Sequence, residues 1–330
     1  MLFIIEIAIN LSPRRADNGY MERCSTKFDG SNDSIIALHK GSTFDSNATD
    51  HKGCIDFEIE LDGKPLNFTL SYGDRQAKLS DLVPAARQLC TEIINAATQN
   101  ESDHGRQVTC GKGCASCCSY LVSLSSAEAF RIKDEIFAMP VQKRQSFMRS
   151  MINGAKYILD HTMPEKLPGE KNDRISEENS TDDISAWYGN LNLTCPFLTN
   201  KSCDIYDIRP LVCREHLVTT EAPACKYTAP SIPRVVEMPV SIASVLMQTS
   251  DKLDNTLQEA IILPLAMLWA EENIERSKRT WPGETITRAF VETILETISL
   301  ENREAANSLP IIEPPQSSGQ PLLEHAENNY

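Results

Sequence analysis

Between Ile55 and Leu70 the chain alternates apolar and polar positions twice. Ile55, Phe57, Ile59 and Leu61 are interleaved with Asp56, Glu58 and Glu60, and Leu66, Phe68 and Leu70 repeat the pattern beyond Asp62-Gly63. A period of two buries one face of a strand, and Asp-Gly supplies the backbone that a tight turn needs. Residues 54–72 are therefore predicted to form a β-hairpin. From about Ser80 the period lengthens: Leu82, Ala86, Leu89, Ile93 and Ala97 share one face of a helix. Ser125-x-x-Glu128 spells a capping box opening a helix through about Ala138. Phe147, Met148, Met151, Ile152, Ala155 and Leu159 mark another helix. Residues 238–275 and 283–299 read as helical. The first is kinked near Pro264, and the second carries Ile286, Phe290, Ile294 and Ile298 on one face.

Between these stretches the pattern lapses. Residues 1–53 mix Ser, Asn, Asp and Gly and read as a flexible leader. Leu2–Ile9 is apolar but short, is broken by Glu6, and lacks a basic flank and a cleavage site, so it is not read as a signal peptide; Met21 is an alternative start. Residues 164–183 are polar and broken by proline and glycine, an exposed acidic insertion, and residues 301–330, with four prolines, read as a disordered tail. The expected organisation is leader (1–53), hairpin plus helix (54–104), a metal-binding domain (105–230), C-terminal helices (231–300) and tail. The fold class is α+β and mostly helical, with a small N-terminal hairpin and a helical domain built around a cysteine cluster.

Charge narrows the partners. Against 32 basic residues stand 46 acidic ones, a net charge of −14, and that field repels nucleic acid and anionic lipid. No apolar run reaches the ~20 residues of a membrane span. The protein is expected in the cytoplasm, where thiols stay reduced and dense cysteines signal metal or redox chemistry rather than disulfides.

Eight of the 11 cysteines fall in two groups. Cys110, Cys114, Cys117 and Cys118 lie within nine residues; Cys195, Cys203, Cys213 and Cys225 are spread out. Thiolates bind zinc and iron–sulfur centres, and short spacing brings a second ligand at little loop-closure cost. Gly111 and Gly113 let the backbone wrap tightly. A cysteine is also a small hydrophobe, and Cys24, Cys54 and Cys90 are read that way. Adjacent side chains diverge, so Cys117 and Cys118 seldom share one tetrahedral ion. Either one of them supports the other, or the thiols serve two centres or a polynuclear cluster. Arg209 and Arg214 flank Cys213, either as cations favouring thiolate or as ion-pair partners of Asp204, Asp207 or Glu215. Tyr206 reads as a core ring. His216 could replace a thiolate, but the spacing reads more simply as a helix-surface residue, and it is left out of the ligand set.

The chain resembles the cysteine-cluster family of zinc- or iron-chelating proteins, whose members include flagellin lysine N-methylases. The matching residues are Cys110, Cys114, Cys117 and Cys118; Cys195-Pro196-Phe197-Leu198; Cys203-Asp204-Ile205-Tyr206; and Arg209-Pro210-Leu211-Val212-Cys213-Arg214, with Cys225 matching by order. The likeness spans about residues 105–230. Here the first gap holds three residues rather than two, which makes Cys110 the least secure ligand.

The triad Cys110-x3-Cys114-x2-Cys117 also spells the cluster motif of radical S-adenosylmethionine enzymes. No alternating strand–helix pattern surrounds it, and Cys118 and the second group stay unexplained by that reading. No nucleotide loop, Ser/His/Asp pattern or HExxH motif is present. Three functions remain: a metal-binding protein with a structural, redox or chelating centre, which is preferred; a protein-lysine N-methylase; and an interaction module in which zinc only staples loops.

Overall fold

The computed structural model describes residues 5–6, 35–40, 51–161, 177–226, 232–257 and 259–308. In chain order the strands are β1 (Ile5–Glu6), β2 (Ile36–Lys40), β3 (His51–Leu61), β4 (Lys64–Gly73), β5 (Gln76–Ala77), β6 (Ser123–Leu124), β7 (Leu198–Thr199), β8 (Ser202–Cys203), β9 (Glu259–Ile262) and β10 (Trp281–Pro282). The helices are α1 (Leu79–Asp103), α2 (Ser126–Ala138), α3 (Val141–Asp160), α4 (Glu177–Asn190), α5 (Leu211–Glu215), α6 (Ile242–Asp254), α7 (Ala266–Glu272) and α8 (Gly283–Ser308). The fold is α+β and mostly helical, as the periodicity indicates. Among the described residues no helix is long and apolar enough to cross a membrane.

The hairpin forms where alternation places it. β3 and β4 pair Phe57 with Phe68 and Ile59 with Leu66, and Asp62 and Gly63 turn the chain at φ +50° and +70°. A third strand joins them: β2 pairs antiparallel with β4 and buries Ile36 and Leu38. That strand lies inside the stretch expected to be a flexible leader. Its two inward residues are too few to stand out in a polar background, and the preformed hairpin edge supplies the order. Cys54 is disulfide-bonded, with its partner outside the described residues, rather than being merely a buried hydrophobe.

Two further expectations change. Residues 238–275 are not one kinked helix. α6 ends at Asn255, which takes left-handed φ and ψ of 56° and 47°, and β9 follows, pairing with β1 and β6. Pro264 then sits at the start of a 3-10 turn leading into α7, where its missing N–H is harmless. α4 also begins inside the expected acidic insertion, and α8 runs to Ser308, into the expected tail. The remainder of both segments, residues 162–176 and 309–330, lies outside the described residues.

Among the described residues the two largest apolar clusters form the cores. The first packs the β2–β4–β3 sheet on α1, α6 and α8 through Ile59, Leu70, Leu82, Leu89, Val245 and Phe290, and it includes Leu211. The second joins α2, α3, α7 and β9 through Phe130, Ile136, Phe147, Met151, Ile261 and Trp269, and it includes Phe197 and Ile205.

Polar clamps connect the cores. Arg87 of α1 is buried and makes a two-pronged ion pair with Glu135 of α2 at 2.6 and 3.1 Å. The capping box at Ser125 forms as read, with the Glu128 N–H donating to Ser125 Oγ at 3.2 Å. Glu128 does a second job: its carboxylate accepts the Leu211 N–H at 2.8 Å across 83 residues of sequence. Burial pushes this carboxyl above the usual range, opposed by the Leu211 N–H and by Arg87. Glu215, at the end of α5, in turn accepts from the Ala243 N–H at 3.0 Å and Ser241 Oγ at 2.8 Å, capping α6.

Replacing Glu128 by Ala strands buried N–H groups at both helix starts, each worth about 1–3 kcal/mol. Glu128→Ala should therefore lower unfolding free energy by about 2–4 kcal/mol, and Glu128→Gln, which keeps an acceptor, by less than half of that. Urea denaturation measures both; equal losses would show that the charge, not the acceptor, matters.

Candidate metal centre

The first cysteine group is a chain of turns pinned at its start. The Thr109 N–H donates to the Val218 carbonyl at 3.0 Å, and the Val218 N–H returns to Cys110 Sγ at 3.3 Å. Turns then close from the Cys114 N–H to Gly111 O (3.0 Å), Cys118 to Ala115 (3.1 Å) and Tyr120 to Cys117 (3.0 Å). Gly113 takes φ +98°, a conformation that side-chain-bearing residues rarely adopt, and it absorbs the additional residue between Cys110 and Cys114.

The second group starts against the first: the Cys195 N–H donates to the Cys118 carbonyl at 2.8 Å. β7 and β8 form a two-residue hairpin with Leu198 opposite Cys203, and both turn residues, Asn200 and Lys201, have positive φ (50° and 61°). Within each Cys-x-apolar step the backbone N–H two residues on, of Phe197 or Ile205, hydrogen-bonds the sulfur. The same Phe197 and Ile205 are buried in the second core, and Leu211 in the first. Apolar anchors thus fix the cysteines between them. Cys213 rides on α5, and Cys225 is buried at the end of a 3-10 turn over residues 222–225.

The thiols feel one another. Cys110 and Cys225 are pushed up chiefly by burial, and each also by the charges of Cys114 and Cys117. Burial raises Cys195 to about 11 and also raises Cys213, with Cys117 contributing to both and Cys203 to the former. Cys117, common to both sets, is lowered to about 7 because the Cys118 thiol hydrogen-bonds it; Cys118 is raised by that bond, by burial, and by Cys195 and Cys203. Burial thus favours the thiol form of Cys110, Cys195, Cys203, Cys213 and Cys225, and a metal bound there would displace their protons. Among the described residues no three His, Cys, Asp or Glu side chains stand as a ready-made ligand set, so the arrangement is one of facing loops rather than a closed shell.

The flanking cations divide their roles. Arg209 lowers Cys110, Cys117, Cys203 and Cys213 and lies over the Tyr206 ring at 4.3 Å. Tyr206 is a half-buried platform for that guanidinium, not a core ring. Arg214 donates to the Arg209 and Asp207 carbonyls and to Thr91 Oγ1, stapling the loop. Cys90, in α1, stands apart with its sulfur 4.0 Å from Glu215.

Sequence reasoning passed over the second role of Glu128 and the capping role of Glu215, whose partners are remote in the chain, and the position of His216. His216 is half-buried rather than on a helix surface, its ring edge-on to Tyr120 at 5.6 Å, and burial holds its pKa below the usual value. Three buried polar atoms of this segment, Arg209 Nε, His216 Nε2 and Thr220 Oγ1, have no hydrogen-bond partner. Thiols and N–H···S bonds suit a zinc or iron–sulfur centre.

Residues 109–228 match the CxxCxxCC family, described as a putative zinc- or iron-chelating domain. The match covers just over a third of the chain and spans both cysteine groups. No curated protein and no solved structure matches the chain. Of the apolar residues in the matched segment, Phe197 and Ile205 are buried in one core and Leu211 in the other.

The hairpin geometry makes a direct prediction. Lys201 occupies a left-handed position that favours glycine, so Lys201→Gly should raise stability by about 0.5–1 kcal/mol. A higher urea midpoint confirms the turn; a lower one would mean that Cys203 is positioned some other way.

Proposed function

We propose that this protein binds zinc or an iron–sulfur centre through Cys110, Cys114, Cys117, Cys118, Cys195, Cys203, Cys213 and Cys225. The centre ties the 110–118 loop to the 195–225 segment as a structural and chelating site. The observation carrying this reading is that two cysteine groups, 77 positions apart at Cys118 and Cys195, are joined there by the Cys195 N–H donating to the Cys118 carbonyl. When bound, the metal supplies a cross-link and, as an iron–sulfur cluster, a store for electrons. The chain supplies the rest. Backbone N–H groups of Val218, Phe197 and Ile205 stabilise sulfur charge, Arg209 offsets part of the accumulated negative charge, and Cys118 supports Cys117.

Protein purified anaerobically should contain zinc or iron in near-stoichiometric amount, with a visible absorption shoulder if iron–sulfur and none if zinc. Chelation should lower the melting midpoint by roughly 10 °C, as expected when a tightly bound ligand is removed from a domain of this size. Cys117→Ser should lose most of the metal, whereas Cys90→Ser, outside both groups, should keep it. Folded, metal-free wild-type protein with an unmoved melting curve would contradict the proposal.

A further inference from the structure

We infer that His216 belongs to the metal centre, its Nε2 serving as a nitrogen ligand alongside the thiolates. The inference rests on the metal-binding reading above. His216 lies three residues beyond Cys213, a spacing that puts both side chains on one side of the short α5 turn. Its ring meets Tyr120, whose N–H donates to the Cys117 carbonyl at 3.0 Å, and two residues beyond His216 the Val218 N–H donates to Cys110 Sγ at 3.3 Å.

The second observation is independent of this placement. Nε2 is buried without a hydrogen-bond partner, and leaving such an atom unpaired costs about 1–3 kcal/mol. Of the seven side-chain atoms in this condition among the described residues, three fall between Arg209 and Thr220. Unsatisfied polarity is therefore concentrated beside the cysteines rather than scattered through the fold. Nothing comparable surrounds His104 or His161: both are exposed, and each has its Nδ1 on the carbonyl four residues back. A neutral imidazole also suits a site rich in thiols, because it adds a donor without adding negative charge.

The test uses the full-length protein loaded with its metal. Isotope-labelled histidine with cadmium in place of zinc should show a one-bond coupling between cadmium and an imidazole nitrogen. For an iron–sulfur centre, pulsed EPR of the reduced cluster should show a strong nitrogen hyperfine coupling. His216→Ala should abolish either signal and weaken metal binding about tenfold or more in chelator competition. Loaded wild-type protein without a nitrogen signal overturns the inference and leaves the eight-cysteine reading intact. Wild-type protein that takes up no metal removes both. Because the coupling is read on the wild type, a variant that fails to fold does not obscure the answer.

Discussion

The Glu128 carboxylate is the joint on which the architecture depends. Removing a carboxylate from water costs several kcal/mol, and this one is offset by the Leu211 N–H, by the Ser125 capping box and by the field of Arg87. Because those partners belong to different parts of the chain, the start of α2 and the start of α5 cannot be satisfied separately. α5 passes the constraint on, since Glu215 at its far end caps α6. One short helix carrying Cys213 is thus gripped by a buried carboxylate at its start and a half-buried one at its end.

The cysteine loops inherit their positions from this grip and from three apolar anchors. Phe197 and Ile205 sit in one core and Leu211 in the other, so the second cysteine group straddles the seam between them. Phe197 and Ile205 each lie two residues beyond a cysteine whose sulfur takes their N–H, and Leu211 lies two residues before Cys213. Burial therefore does double work, because the contacts that stabilise the domain also aim the thiols. The same burial favours the protonated form of most of the sulfurs, so metal uptake at these residues would release protons.

Much of this was legible in the sequence. The alternation at Ile55–Leu70 located the hairpin, the 3.6-residue period located α1, α3 and α8, because each has one strongly apolar face, and the capping box at Ser125 located α2. Cysteine spacing identified the region of the centre. Three kinds of information were not local. β2 has only Ile36 and Leu38 to announce it and forms because a hairpin edge is there to receive it. β9 interrupted an expected helix because pairing with β6 and β1 outweighs the propensity of a short apolar run that fits either structure. The second role of Glu128 and the burial of His216 depend on segments that meet only after folding.

The central claim is that sulfur from both cysteine groups holds one metal neighbourhood between the two cores. X-ray absorption at the zinc or iron edge of the anaerobically purified protein reads that neighbourhood directly. The account predicts a first shell dominated by sulfur, at about 2.3 Å if the metal is zinc. A shell made only of oxygen and nitrogen would contradict it.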